Sequence, residues 1–241
     1  MSNDVGVVIM AAGKGTRMNS DIPKVLHLVD GQPMILKVLQ TAYEIDANPI
    51  ITIVGYKSDL VKESLKNEST LFAFQKEQNG TGHAVMQCQN QLKDFKGNVL
   101  VLSGDVPFIT SNTLNQLIKT HIDSNAKATV LTCKLDNPYG YGRIIKSDNN
   151  RLQRIVEHKD ANESELNENE INTGIYIFDT TVLFTTLPML KNDNNQNEYY
   201  LTDVFNIMIK NSDPVFAYQT SNASQIIGIN TIEQLNEVSN D

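Results

Sequence analysis

The chain has 241 residues with 20 Lys and Arg against 28 Asp and Glu, a net charge of −8. That balance argues against a general binder of nucleic acid or acidic membrane, because phosphate neutralisation needs clustered excess cations. With 40% apolar and 20% charged residues, it has the composition of a folded soluble protein and not of a disordered one. A chain of this length buries roughly 70–75% of its unfolded surface, so no disulfide or metal is needed to fold it. Cys88 and Cys133 are too few for a disulfide framework and read as buried free thiols of a reducing compartment. No zinc-type spacing joins them to His27, His83, His121 or His158. The start has no basic segment, Val5–Ala12 is too short for an export signal, and no run approaches a membrane span. The expected location is the cytoplasm.

In chain order, Val5–Met10, Ile50–Val54, Leu71–Gln75 and Asn98–Ser103 are near-continuous apolar runs. Strands covered on both faces of a parallel sheet have this pattern. Ile35, Val38, Leu39, Ala42 and Ile45 recur at helical spacing behind Pro33. Leu60, Val61 and Leu65, then Ala84, Val85 and Cys88, mark two more helices, and another starts near Ser111, which reads as its cap. Strands alternating with helices predict a doubly wound, Rossmann-like α/β sheet, whose ligands sit beyond the carboxyl ends of the strands. The loops after Met10, Gln75 and Ser103 therefore matter most.

The second half reads differently. Gly142–Ser147 and Leu152–His158 flank Asp148-Asn149-Asn150-Arg151, a hairpin-like turn. Asn162–Asn169 is a polar helix or loop, Asn172–Phe178 a strand and Asn192–Asn197 a low-complexity loop. Leu201–Lys210 predicts a helix, Val215–Tyr218 and Ile226–Ile229 strands, and Thr231–Val238 a closing helix. No linker or repeat divides the chain, so one domain with an added sheet lobe is expected.

The chemistry concentrates in a few places. After the first apolar run come Gly13-Lys14-Gly15-Thr16-Arg17 and then Pro23-Lys24. Two glycines let a backbone bend tightly and present N–H groups to an anion, while Lys14, Arg17 and Lys24 add charge. A dinucleotide fingerprint would need a third glycine where Met18 stands, and Walker spacing is absent. The plain alternative is a tight turn with incidental cations. Three cations so close together in a cation-poor chain favour an anion site. Gln75 ends a run at the ligand edge, where an amide can both donate and accept as pyrimidine recognition requires, or simply be solvated. Asp105 follows a buried run and a glycine at a strand's carboxyl end; it could merely cap the helix near Ser111, though Ser111 already fills that place, or offer a hard oxygen to a cation. His83 reads as a structural side chain one turn into a helix, His158 sits beside Glu157, which could equally be a surface ion-pair partner for Lys159, and Tyr199 and Tyr200 read as core or lobe-interface aromatics. No Ser/His/Asp or Cys/His set is legible, so no nucleophile is assigned.

The stretch MAAGKGTRMNSDIPKVLHLVDGQPM resembles the signature of the sugar-nucleotide pyrophosphorylases, nucleotidyltransferases that join a sugar 1-phosphate to an NTP. Gln78–Ala84 and Ser103–Pro107 resemble their nucleotide and metal loops. Tyr141–Ile144, Val156–Ala161 and Glu170–Gly174 resemble their sugar pocket. With Glu198–Asp203, these segments in order resemble the N-acetylglucosamine-1-phosphate uridylyltransferases.

The resemblance implies a mixed sheet of the sugar-nucleotidyltransferase type in one domain over residues 1–241. Its nucleotide-binding part would reach about residue 110, and a smaller sugar-binding β lobe would fill 111–241. It further implies UTP and N-acetylglucosamine 1-phosphate as substrates, Mg²⁺ as cofactor, and no nucleic-acid or membrane partner. Met10, Ala11, Ala12 and Gly13 would hold the uridine through the backbone, with Arg17 and Lys24 as catalytic cations on the phosphates. Gln75, Gly80 and Thr81 would read the uracil edge, and Ser103 and Gly104 would lie beside the bound substrates. Gly142, Glu157, Asn172 and Thr173 would cradle the sugar, and Asp105 and Asn230 would hold the Mg²⁺.

Asn79 and Ser103 depart from the family, which favours an apolar residue and a tyrosine there. The hexapeptide-repeat acetyltransferase part of the bifunctional enzymes is not among these residues, which leaves a single-activity enzyme or one part of a longer chain. Nothing in the sequence sets an oligomeric state. The rival readings are the same fold with another NTP or sugar phosphate, and a non-catalytic regulator that binds a sugar nucleotide. Arg17, Lys24 and Asp105 together count against the regulator, since binding alone would not need all three.

Overall fold

The computed structural model describes residues 4–147 and 151–239, so the expected turn at residues 148–150 lies outside the described residues. The first half runs β1 (Val5–Ala11), the small hairpin β2 (Leu28–Val29) and β3 (Gln32–Pro33), α1 (Met34–Glu44), β4 (Ile50–Val54), α2 (Ser58–Ser64) and β5 (Leu71–Phe74). It continues through α3 (Thr81–Met86), α4 (Gln89–Leu92), β6 (Asn98–Ser103) and α5 (Ser111–Asp123). The second half runs β7 (Ala128–Lys134), β8 (Arg143–Lys146), β9 (Leu152–Val156), α6 (Glu163–Leu166) and β10 (Glu170–Asp179). It ends with α7 (Thr180–Thr186), α8 (Asp203–Lys210), β11 (Val215–Thr220) and α9 (Ile232–Ser239). Among the described residues, no helix is long and apolar enough to cross a membrane.

The strands β5, β4, β1 and β6 are parallel neighbours, the doubly wound part that the alternation predicts. Beyond β6 the sheet changes direction. β10 runs antiparallel to both β6 and β7, and β11 lies parallel to β7 at the far edge. β8 pairs with β10 and β9 with β8, which adds a small antiparallel lobe to the same sheet. One face carries α1, α2 and α5 through Ile35, Val38, Leu39, Val61, Leu114 and Leu117. The other carries α3, α4, α7 and α8 through Val85, Leu92, Leu183, Val204 and Phe205. Helices on both faces explain why β1 and β4 read as unbroken apolar runs: neither has a wet side.

Three expectations need correction. Leu71–Gln75 was expected to be covered on both faces, but β5 is the sheet's edge strand, with Leu71 and Phe74 half exposed. Ile226–Ile229 is a loop and not a strand. Its isoleucines satisfy the apolar pattern by plugging two separate core clusters, and the Ile229 N–H donates to the Asp105 carbonyl instead of to a ladder. The cap of α5 is Thr110 and not Ser111; the Thr110 hydroxyl accepts from the Thr113 N–H.

β10 also carries a register break. Asn172 faces Thr132 and Tyr176 faces Val130, so extra β10 residues bulge between those pairs. A bulge re-aims the strand. Here it brings Gly174 close to the Ser103 side chain, at the carboxyl end of β6 where ligands are expected.

The two halves of the sheet are also stitched from inside. His121 of α5 is buried; the Thr129 hydroxyl donates to its Nδ1 at 2.9 Å, and its Nε2 lies 3.2 Å from Asn98 Oδ1. Burial pushes its pKa down to about 4, with the Asp179 charge opposing and Lys127 assisting. The folded protein therefore holds this imidazole neutral, while the unfolded chain protonates it near pH 6.5. The stability it contributes is present above pH 6.5 and is lost as pH falls towards 4, by roughly 3 kcal/mol in all. Denaturant unfolding from pH 7 to 4 should show this slope, and His121→Gln should be less stable at pH 7 but flatter over that window.

Candidate active site

The loop that leaves β1 is held by its own packing. Gly15 sits in left-handed backbone at φ 60°, and a Cβ there would fall 2.6 Å from the Lys24 Cβ, so only glycine lets the loop close on the lysine stem. Met18 is fully buried beneath it. Lys24 thereby reaches across the strand ends, where its ammonium pairs with Asp105 Oδ2 and donates to Asn230 Oδ1 at 2.9 Å. Arg17, itself exposed, donates from Nη2 to the same Asn230 oxygen at 3.1 Å. Asn230 is oriented by its own Nδ2, which donates to the Gly228 carbonyl at 2.9 Å.

Asp105 and Asn230 therefore meet on one cation, although Asn230 arrives on a loop and not at the strand end expected. A carboxylate and an amide oxygen are hard donors of the kind Mg²⁺ takes. Among the described residues, no group of three or more His, Cys, Asp or Glu could hold a metal alone. These two oxygens suit an ion whose remaining ligands come from water and phosphate.

Beside this cluster lies a cleft of about 290 Å³. Met10, Ala11, Ala12, Gly13, Lys24, Gln75, Gly80, Thr81, Ser103 and Asp105 all line it. Val25, Gln78, Ala84 and Glu198 line it too, and sequence reasoning gave these no role. For all four the signal was their place in the quoted motifs: Val25 in the first long stretch, Gln78 and Ala84 in Gln78–Ala84, and Glu198 in Glu198–Asp203. Burial raises the pKa of the Glu198 carboxyl, with Lys159 opposing.

The floor of the cleft is tightly specified. Gly80 has φ 106°, and a Cβ there would lie 2.6 Å from the Tyr199 carbonyl. Backbone bonds clamp the 79–82 loop to the chain entering α8: Tyr199 N–H to the Asn79 carbonyl and Gly82 N–H to the Tyr199 carbonyl, both 2.8 Å. The Thr81 hydroxyl accepts from the Leu201 N–H at 2.9 Å. Gln75, only 3% exposed, donates from Nε2 to the Gly80 carbonyl at 3.1 Å, with His83 Nδ1 also at 3.1 Å.

The residues assigned to the sugar form a second group that does not line this cleft. Gly142 sits close to Glu157 Oε2 and to the Asn172 Cβ. Glu157 does not pair with Lys159; it accepts from the Thr202 hydroxyl at 3.0 Å. Burial first, then Asp160, Asp203 and Glu198, push its carboxyl pKa up. Asn172 donates to the Tyr176 hydroxyl at 2.8 Å and accepts from the Gly174 N–H at 3.0 Å, which leaves one amide proton uncommitted. The buried Thr173 hydroxyl donates to the Leu131 carbonyl at 2.8 Å and accepts from the Ile175 N–H at 3.3 Å, so it is committed within the fold. Tyr141 joins the groups: burial and the Asp105 charge raise its hydroxyl pKa, while a bond with the Gly228 main chain and the Arg17 charge oppose. Gly104, buried, is held by a bond from its N–H to the Met10 carbonyl.

Residues 6–224 match the family described as nucleotidyl transferase. The chain is 49% identical over 223 residues to the bifunctional protein GlmU of Oceanobacillus iheyensis, covering 92% of this chain and 49% of that one. It is 47% identical over 223 residues to its namesake from Streptococcus uberis, with 92% and 48% covered. Against the Bacillus cereus strain AH187 protein of that name it is 46% identical over 230 residues, with 95% and 50% covered. The chain thus spans about half the length of these curated relatives. In fold it resembles a protein assigned as glucose-1-phosphate thymidylyltransferase from Bacillus anthracis, in complex with a sucrose. That match has a TM-score of 0.79 and 20% identity, covering 98% of this chain and 94% of the other. A UDP-glucose pyrophosphorylase complexed with UDP-glucose is similar at TM-score 0.76 and 21% identity, with 98% and 97% covered. The family match over most of the chain, and a sheet shared with sugar nucleotidyltransferases, place this chain in the nucleotidyl transferase family.

Proposed function

We propose that the chain transfers the uridylyl group of UTP to N-acetylglucosamine 1-phosphate, giving UDP-N-acetylglucosamine and pyrophosphate, a step that supplies cell-wall precursors. The observation that carries this reading is the cation shared by Asp105 and Asn230 at the mouth of a cleft floored by Gln75 and the Gly80 loop. The cluster suits a triphosphate, the cleft suits a pyrimidine nucleoside, and the motif resemblance supplies the choice of sugar. The whole chain is read as one nucleotidyltransferase domain working in the cytoplasm.

The sugar phosphate's oxygen attacks the α-phosphorus of UTP; a new P–O bond forms as the bond to the β-phosphate oxygen breaks and pyrophosphate leaves. A phosphate monoester is already anionic near neutrality, so no general base is needed. Catalysis is then positioning and charge stabilisation by Arg17 and Lys24, with main-chain groups of Met10–Gly13 holding the nucleoside. Asp105 and Asn230 would hold Mg²⁺, which when bound neutralises charge on the phosphates. Gly142, Glu157 and Asn172, with the Thr173 main chain, would hold the acetamido sugar.

Pyrophosphate release from a panel of NTPs and sugar 1-phosphates tests the reading. UTP with N-acetylglucosamine 1-phosphate should lead, exceeding glucose 1-phosphate in kcat/KM on the order of a hundredfold or more, because polar groups aimed at the acetamide are otherwise left unpaired. Equal kcat/KM for the two sugars removes the second residue group from sugar selection. Arg17→Ala should cut turnover roughly 10²–10³-fold at unchanged Tm, the usual loss for one charge-stabilising donor; a change below about threefold makes Arg17 a surface residue. Activity titrated against Mg²⁺ should nearly vanish in Asp105→Ala and fall less in Asn230→Ala, which loses an uncharged ligand. Full wild-type turnover in excess EDTA contradicts the metal assignment.

A further inference from the structure

Gln75 can present either end of its amide to the cleft, and the two ends select opposite bases. Uracil offers an N–H donor at its N3 position, whereas cytosine offers an acceptor there. The Gln75 Nε2 donates to the Gly80 carbonyl, which can only accept, so this bond alone fixes which end faces which way. The second Nε2 proton points to His83 Nδ1 at 3.1 Å. Both protons are thereby committed, and among the described residues no protein group donates to Oε1. The clamp of the 79–82 loop onto Tyr199 and Leu201 holds the Gly80 acceptor in place. His83 is not a lining residue of the cleft.

The imidazole is itself held. It sits in the short helix α3, its ring tilted against Tyr199 with centroids 6.5 Å apart. Gln87 donates from Nε2 to the His83 carbonyl at 2.9 Å, and its 3.3 Å approach to the ring Nε2 is a contact and not a hydrogen bond when that nitrogen carries the ring proton. To accept from Gln75, the ring must be neutral with its proton on Nε2.

We infer that His83 is a positioning residue for base selection: it locks the Gln75 amide so that the cleft meets a nucleobase with an acceptor and admits the uracil imide over cytosine. This rests on the uridine-nucleotide reading above. To receive cytosine, Gln75 would have to turn over. Its oxygen would then face the Gly80 carbonyl, losing that bond, and His83 could keep its own only by moving its proton from Nε2 to Nδ1. Removing His83 leaves only the Gly80 half of that barrier. One hydrogen bond of this kind corresponds to about a tenfold change in discrimination.

The test compares UTP and CTP on the wild type, His83→Leu and His83→Asn. Calorimetric Kd values and, separately, kcat and KM are measured for each. The wild type should bind UTP more tightly than CTP. His83→Leu keeps an apolar side chain but lacks the acceptor; it should lose about tenfold of that preference, through UTP KM and Kd with kcat little changed. His83→Asn, whose Oδ1 can stand where Nδ1 stood, should restore most of it. A wild type that binds both nucleotides equally overturns the inference, as does a His83→Leu protein that keeps the preference while only losing Tm. A wild type that prefers UTP in binding but never releases pyrophosphate leaves the inference standing and removes the proposed activity instead.

Discussion

The molecule depends on one strand, β10. Among the described residues it pairs with β6 on one side and β7 on the other, so the strand ladder between the parallel half and the second half of the sheet runs through it. Tyr176, Ile177 and Phe178 are buried, and Tyr176 and Phe178 stack with Phe205 of α8 in the core. That regular part fixes the strand's position. The bulge between Asn172 and Tyr176 then interrupts the ladder before pairing resumes at Asn172, and lets Gly174 approach Ser103. Without the rigid stretch the bulge would have nothing to bend against.

The second organising feature is electrostatic economy. In a chain with a net charge of −8, the loop after β1 gathers Lys24 and Arg17 onto Asp105 and Asn230. Elsewhere acidic groups crowd together: besides burial, Asp160, Asp203 and Glu198 raise the proton affinity of Glu157, and Asp160 raises that of Asp203. An anionic ligand is therefore drawn to the Lys24 and Arg17 cluster. Burial shifts the balance further at Glu157, which the desolvated pocket holds nearer to its neutral form.

Much of this was legible in the sequence, for identifiable reasons. β1, β4 and β6 announced themselves because helices cover both faces, which makes their apolar runs unbroken. β5 misled because an edge strand with an exposed Leu71 and Phe74 has the same composition as a buried one. Ile226–Ile229 misled for the opposite reason: its side chains are core, but its backbone pairs with no strand. The meeting of Asp105 and Asn230 was foreseen, though by a strand that does not exist; the Ile229–Asp105 backbone bond does that work. The pairing of Gln75 with His83 was invisible, because it crosses from a strand end to a helix that neither periodicity nor spacing aligns. The spent hydroxyl of Thr173 was equally hidden, since its partner is a backbone carbonyl far away in sequence.

The clamp between the 79–82 loop and the chain at 199–202 carries a wider meaning. Thr81 is bonded to Leu201, and the next residue, Thr202, is bonded to Glu157. A single short thread thus runs from the floor that meets the base to the carboxylate on the sugar side. Under the proposed chemistry, the two substrate preferences share a scaffold and cannot drift independently during evolution. A lineage that changed its nucleotide by remodelling this loop would disturb its sugar pocket at the same time. New specificities in such a scaffold would therefore tend to arise as matched pairs of base and sugar.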